Sequence, residues 1–479
     1  MTAIEDVYSP QTASELLSDL ADCIGRYYSE CQSMAKPTLP ELTPERYVEL
    51  ASQMLKHPQK KFNELADLTL KYSHRLHDPR YMGHQVPPVI PAAAFFDAIG
   101  KATNQGAAVF EMAPFGTAAE RAVIHAMGKL IGWKVGDFAG IGTHGGTLAN
   151  VTALLAARNI RYKNFWQDGH KGDLKPAIMT SADSHYCIAR ACGILGIGTA
   201  QLIKVPVDAK RRMDISEARR ILAGARSRGL DVFAIVGSAC TTPTGSFDDL
   251  RALAELATEH KLWFHVDGAH GASFLFSDKH RHILDGIDQA DSIAWDAHKM
   301  LFVPALCTYL FYKDARNSWD AFSQDAPYLF DPSDPQGMAE FDGGLRTFEC
   351  TKGAISLGLW GVWSLYGREF LAKLIDRAVD HTRLLYDMIL ASEDFEAAHD
   401  PQCNILCFRY VPKNQQKISS SDLSNLQQKI RQKLLKEGDG YITATKIEGE
   451  AWLRVTIINP LTTKTHLEAL LAKIRAIFN

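Results

Sequence analysis

Residues 232–267, VFAIVGSACTTPTGSFDDLRALAELATEHKLWFHVD, decide the fold of this chain. The apolar run VFAIVGSA ends in a turn rich in threonine, proline and glycine. FDDLRALAELATEHK then carries the spacing of an amphipathic helix, and a second apolar run, LWFHVD, follows it. Two short β-rich runs joined by a helix form the repeating unit of a parallel sheet, because the helix returns the chain to start a second strand in the same direction. The alternation continues on both sides: AIMTSA (177–182), QLIKVPV (201–207) and the helical EARRILAGARSRG (217–229) come before it, and DSIAWDA (291–297) comes after. A mostly parallel sheet covered on both faces is therefore expected over residues 91–365. Such sheets bind ligands beyond the carboxyl ends of their strands.

The flanks read differently. Residues 1–90 hold the helical patterns SELLSDLADCIGRYY and RYVELASQMLKHP, broken by AKPTLPELTP, and form an accessory or dimer-forming arm. Residues 366–479 alternate the strands NILCFRYV and AWLRVTIINP with the helices DLSNLQQKIRQKLLKEG and HLEALLAKIRAIF, a small α+β domain.

With 479 residues, 46% of them hydrophobic, the chain can bury a large core and divide into more than one domain. Its 52 basic and 55 acidic residues leave a formal net charge of −3, which argues against nucleic acid as a partner. No apolar run approaches the length that spans a bilayer, and the first residues lack the pattern of a signal peptide, so a cytoplasmic protein is expected. Nine cysteines without paired spacing fit reduced thiols.

Five places carry candidate chemistry. Gly140-Ile-Gly-Thr-His-Gly-Gly-Thr-Leu-Ala-Asn150 precedes a helix pattern and can cradle a phosphate on backbone N–H groups and the Thr147 hydroxyl; it reads equally as a plain glycine-rich turn. His185 follows AIMTSA, where an imidazole can stack on a flat ring or shuttle a proton. Asp267 ends LWFHVD among apolar neighbours and needs a cationic partner. A protonated pyridine nitrogen would serve; so would a metal shared with His265 and His270, or Asp267 could cap the next helix. In Ser238–Asp248, Thr241 or Thr242 can place a hydroxyl on a cofactor, and Asp248 reads as a helix N-cap. Lys299, beside His298, is an amine able to form a Schiff base with a carbonyl cofactor, provided burial or neighbours lower its pKa.

In order and spacing, GTHGGTLANVTALLAAR, SHYC, SACTTPTGSFDDL, WFHVDGAHG, SIAWDAHKM, YLF and WLRVTIINP resemble the group II pyridoxal-phosphate-dependent amino acid decarboxylases, which include the glutamate, aromatic amino acid, cysteine sulfinate and 2,4-diaminobutyrate enzymes. The similarity runs from about His77 through Pro460. It implies the aspartate aminotransferase fold, fold type I, a homodimer, and release of CO2 and an amine from an L-amino acid. Position by position, it implies pyridoxal 5′-phosphate bound to Lys299, Asp267 on the pyridine nitrogen, His185 over the ring and Ala269 beneath it. Gly146, Thr147 and His298 would contact the phosphate, Thr242 would lie near the cofactor, and Arg454 would grip the substrate carboxylate. Arg80–Gln85 would line the side-chain end of the pocket, where His84 and Gln85 suit a polar or charged substrate of the 2,4-diaminobutyrate, glutamate, aspartate or cysteine sulfinate type.

The chain also departs from the pattern. Asp296 stands where many relatives have asparagine near the phosphate, and a carboxylate there would repel it unless it points away or caps a turn. Lys352 stands where many have arginine. Gly337 falls where animal relatives have the tyrosine that reprotonates the intermediate, which leaves His185, Tyr328 or a partner-subunit residue as the acid and opens a second outcome, decarboxylation with oxidative deamination to an aldehyde. A metal-dependent hydrolase built on His265, Asp267 and His270 is the more distant alternative.

Overall fold

The computed structural model describes residues 4–56, 60–322, 340–412 and 418–478. Gly337 and Tyr328 lie outside them.

The chain divides into two compact units. One takes residues up to Pro88, His381–Ala398 and the chain from Cys407 onward; the other takes Val89–Asp380 and His399–Leu406.

The second unit is built on a seven-stranded sheet: β1 (Ala139–Thr143), β2 (Pro176–Ser181), β3 (Leu202–Val205), β4 (Asp231–Ser238), β5 (Trp263–Asp267), β6 (Ser292–Asp296) and β7 (Thr308–Tyr312), in the order β1-β7-β6-β5-β4-β2-β3. The β2–β3, β2–β4, β4–β5 and β5–β6 pairs are parallel; β7 runs against both its neighbours. Five strands stand where the apolar runs place them, and β2, β6 and β7 are buried along their whole length, as sheets covered on both faces require. The helix Leu250–His260 that links β4 to β5 is capped by Asp249, whose carboxylate accepts from Ala252 N at 3.0 Å. Asp248 is not the cap. It is buried, accepts from Met213 N at 2.6 Å and Ser238 N at 2.8 Å, and so ties the end of β4 to a neighbouring loop; burial pushes its carboxyl up to about 6.

β1 takes in the start of the Gly140–Asn150 run, which reads equally as a phosphate cradle or a plain turn. Its glycines serve close packing: a Cβ on Gly142 would come within 2.5 Å of Glu120 Oε2 and 2.9 Å of Lys352 Nζ. β1 is an edge strand, and an ion pair meets its outward backbone groups. Gly142 N donates to Glu120 Oε1 at 3.0 Å, Lys352 Nζ donates to Gly142 O at 2.7 Å, and the two charges pair at 2.8 Å. Burial works against the Glu120 charge, but Lys352 outweighs it and holds the carboxyl below its usual range. Lys352 is 4% exposed, so Glu120→Gln strands an ammonium in the interior. That replacement is expected to lower unfolding free energy by roughly 3–5 kcal/mol, read from the urea midpoint; a loss under about 1 kcal/mol would mean that the pair is no more than a surface-like contact.

The first unit holds the N-terminal helices Pro10–Gln32, Pro44–Lys56 and Phe62–Lys71, the first capped by Ser9 accepting from Thr12 N at 3.1 Å. The C-terminal strands β8 (Phe395–Ala397), β9 (Ile405–Tyr410), β10 (Thr443–Ile447) and β11 (Glu450–Thr456) form a four-stranded sheet in the order β10-β11-β9-β8, accompanied by the helices Ser420–Glu437 and Lys464–Phe478. Among the described residues no helix is long and apolar enough to cross a membrane.

Candidate active site

Within the second unit the candidate residues gather at the carboxyl ends of the strands, because each lies just beyond an apolar run that the sheet must bury. Asp267 closes β5, Asp296 closes β6 and leads into the single turn Ala297–Met300 that carries His298 and Lys299, and His185 follows β2. β1 delivers the chain to Gly145, whose φ of +99° is open to glycine, and the helix Gly146–Arg161 starts there.

The Lys299 side chain is 22% exposed and its Nζ lies 2.8 Å from Asp296 Oδ2. Burial disfavours its charge, but Asp296 and then Asp267 outweigh burial, so the ammonium is held above the ordinary lysine value. This corrects the expectation that the surroundings would lower it. Asp296 is 1% exposed and its side chain does not cap the following turn. Thr308 Oγ1 donates to its Oδ1 at 2.6 Å, and His298 Nε2 lies 3.6 Å from its Oδ2. Lys299 and His298 oppose the burial cost and keep its carboxyl below the usual range.

Asp267 is 8% exposed. Ala269 N donates to its Oδ1 at 3.3 Å, and Cys187 Sγ lies 3.8 Å from its Oδ2. His185 Nδ1 accepts from Cys187 N at 3.3 Å, and burial lowers its pKa against the pull of Asp267, so the neutral ring carries its proton on Nε2. Thr241 is spent in a turn, with its hydroxyl 2.9 Å from that of Thr244 and accepting from Ser246 N. Thr242, half-buried, is the remaining threonine of the pair.

The metal reading fails on geometry. His265 Nε2 donates to Asn150 Oδ1 at 2.7 Å and its Nδ1 faces Ser292 Oγ at 2.8 Å, while His270 Nε2 donates to Asn404 Oδ1 at 2.8 Å. Burial depresses the His265 imidazole to about 4. Among the described residues no three His, Cys, Asp or Glu side chains come together as a metal site would need.

His265 belongs instead to a network that motif reading missed. Asn150 Nδ2 donates to Gly146 O at 2.8 Å, and Trp263 Nε1 donates to Ser292 Oγ at 2.8 Å, so Gly146, Asn150, His265, Ser292 and Trp263 form one chain of hydrogen bonds. It bolts the first turn of the helix to β5 and β6. The sequence signal was slight: a polar residue on a helix face otherwise buried and apolar.

The residue set fits a phosphorylated pyridine aldehyde. The first turn of the Gly146–Arg161 helix has N–H groups without intrahelical partners, suited to an anion, with Thr147 adding a hydroxyl. A Cβ on Gly146 would come within 2.9 Å of Asp296 Oδ1 and 3.4 Å of Ala269 Cβ, so this floor is shaped by the missing side chain. An amine, a buried carboxylate and a neutral imidazole complete the set.

The residues expected to hold substrate lie in the first unit and form a cluster of their own. Arg454, on β11, is 5% exposed rather than a surface residue, and its Nη1 donates to Thr443 Oγ1 at 3.3 Å and Gly83 O at 3.4 Å. His84 Nε2 lies 3.0 Å from the Tyr441 hydroxyl, and Gln85 beside it is half-buried.

Residues 51–411 match the family model described as the pyridoxal-dependent decarboxylase conserved domain. The chain is 31% identical to mouse (Mus musculus) cysteine sulfinic acid decarboxylase over 412 residues, covering 85% of this chain and 83% of that one. It is 29% identical to a human (Homo sapiens) acidic amino acid decarboxylase over 424 residues, with coverage of 87% and 81%. The crystal structure of mouse CSAD superposes with a TM-score of 0.91 at 28% identity, over 98% of this chain and 99% of that one.

Proposed function

The chain belongs to the pyridoxal-dependent decarboxylases, and from that premise we propose that this amino acid decarboxylase acts on the α-carboxylate of acidic L-amino acids, of the cysteine sulfinate, aspartate or glutamate kind, and releases the amine. The observation that carries the site assignment is the convergence of Lys299, Asp296 and Asp267 at two adjacent strand ends. Its cofactor is pyridoxal phosphate, which when bound supplies an electron sink for the pair left behind as CO2 departs.

The chain's own residues do the rest. Lys299 would provide the amine that anchors the cofactor. Asp267 holds a proton on the pyridine nitrogen; its two oxygens are set by Ala269 N–H and the Cys187 thiol, which fixes the direction it faces. Gly146, Thr147 and His298 take the phosphate, with Thr242 and Ala269 beside the cofactor. His185, kept neutral by burial with its Nδ1 accepting from Cys187 N, would stack over the ring. Arg454, His84 and Gln85 keep the substrate role implied by the resemblance, a guanidinium being suited to a carboxylate.

The acidic preference is supported by the two relatives named for acidic substrates. It is tested by an amino acid panel assayed for CO2, amine and hydrogen peroxide. Acidic substrates should give amine and CO2 in equal amounts. Turnover of 2,4-diaminobutyrate instead would overturn the substrate class, and peroxide with aldehyde would overturn the amine product. That oxidative outcome gains no support from the relatives above.

A homodimer and a cytoplasmic location are part of the same proposal. Phe95, Ile99, Met112 and Phe115 are each more than half exposed in the single chain, a run of apolar surface that a second copy would cover. Sedimentation of the purified protein at twice the chain mass is the expected result.

A further inference from the structure

We propose that Asp296 is the counter-ion of the Lys299 nitrogen both before and after that nitrogen joins the cofactor's aldehyde carbon. The inference rests on the reading of Lys299 as the cofactor-bearing residue.

Asp296 is placed for this by three contacts. Its Oδ2 lies 2.8 Å from Lys299 Nζ, its Oδ1 is pinned by the Thr308 hydroxyl at 2.6 Å, and His298 Nε2 stands 3.6 Å off. The start of the Gly146–Arg161 helix, assigned above to the cofactor's phosphate, lies against its Oδ1 side, so Asp296 and the phosphate would share that end of the site. A carboxylate so buried is costly without a cation beside it, so the site favours positive charge at the Lys299 nitrogen.

Capture of the aldehyde can proceed without giving up that charge. The ammonium loses two hydrogens to the aldehyde oxygen, which leaves as water; a carbon–nitrogen double bond forms, and the third hydrogen stays on nitrogen with the positive charge. No proton is gained or lost overall, so Asp296 faces a cation on both sides of the reaction. A positively charged nitrogen also makes the attached carbon more open to attack by the substrate's amine.

The other titratable groups around the pair are Asp267 at the end of β5, Cys240 beyond β4, His185 and Cys187 beyond β2, Cys307 just before β7, and His298 on the same turn. Asp267 adds to the negative potential at Nζ but is assigned to the ring nitrogen, which leaves Asp296 as the carboxylate in contact with Lys299.

The test is a pH titration of the cofactor's absorbance in the loaded wild type, Asp296→Asn and Asp296→Glu. The midpoint for deprotonation of the linked nitrogen should fall by about one unit or more in Asp296→Asn, a tenfold loss of proton affinity, and return toward wild type in Asp296→Glu. An unmoved midpoint in Asp296→Asn overturns the proposal. Should that variant fail to fold or load, resonance Raman of the wild type decides: a C=N stretch that shifts in D2O at neutral pH is expected, and one that does not shift overturns it. Lys299→Ala separates the two readings, since a lysine-dependent band with an unmoved Asp296→Asn midpoint leaves the anchor standing and removes only the counter-ion.

Discussion

Lys299→Arg and Lys299→Ala are each expected to lose activity by a factor on the order of 10³ or more, and neither should show the absorbance band of lysine-bound cofactor. Two replacements are needed because Lys299 has a structural partner as well as a chemical one. Alanine leaves the buried Asp296 carboxylate without the cation 2.8 Å away, so some of its loss would come from a weakened fold. Arginine restores a positive charge, but a guanidinium is not a nucleophile at accessible pH and cannot bond to a carbonyl carbon. Its variant should therefore unfold at nearly the wild-type urea concentration while remaining inactive. Retention of a tenth of wild-type turnover by Lys299→Arg would remove the lysine from the chemistry.

Asp267→Asn is expected to lower kcat by roughly 10²–10³-fold, the scale on which loss of one aligned electrostatic partner is felt, with a smaller effect on KM. The amide has nearly the shape of the carboxylate and its oxygen can still accept from Ala269 N, so packing at the end of β5 should survive. What is lost is the negative charge that holds a proton on the ring nitrogen, and with it the ring's capacity to accept an electron pair. Asp267→Glu keeps the charge but displaces it by a methylene, and should fall between the two. A kcat within threefold of wild type in Asp267→Asn would assign Asp267 to strand-end structure alone.

Legibility in the sequence followed the range of the interactions involved. The five parallel strands and their helices were readable because periodicity is local: VFAIVGSA and LWFHVD announce themselves within eight residues. β1 was not, because AGIGT has the composition of a turn and becomes a strand by pairing with the distant β7, Gly142 opposite Tyr309, while Glu120 and Lys352, 22 and 210 residues from Gly142, meet its outer edge. Asp248 and Asp249 stand side by side at the mouth of the same helix, and sequence chose the wrong one for the cap. Which carboxylate turns toward Ala252 N and which toward Met213 N depends on a loop 35 residues away.

By itself the sequence carried the fold class and, through the resemblance of its ordered motifs to the pyridoxal-phosphate decarboxylases, the cofactor, and it offered His185, Asp267 and Lys299 as candidates beyond three of its apolar runs. The tertiary structure alone decided the state of those groups. It turned Asp296 from a suspected source of repulsion into the partner of Lys299, reversed the expected direction of the lysine's proton affinity, and took His265 from a possible metal ligand to a bolt between a helix and two strands. The physical reason is one of distance. Side-chain chemistry is fixed by residue type, but charge and hydrogen-bond partnership in a low-dielectric interior are set by neighbours a few ångströms away that no sequence spacing reveals.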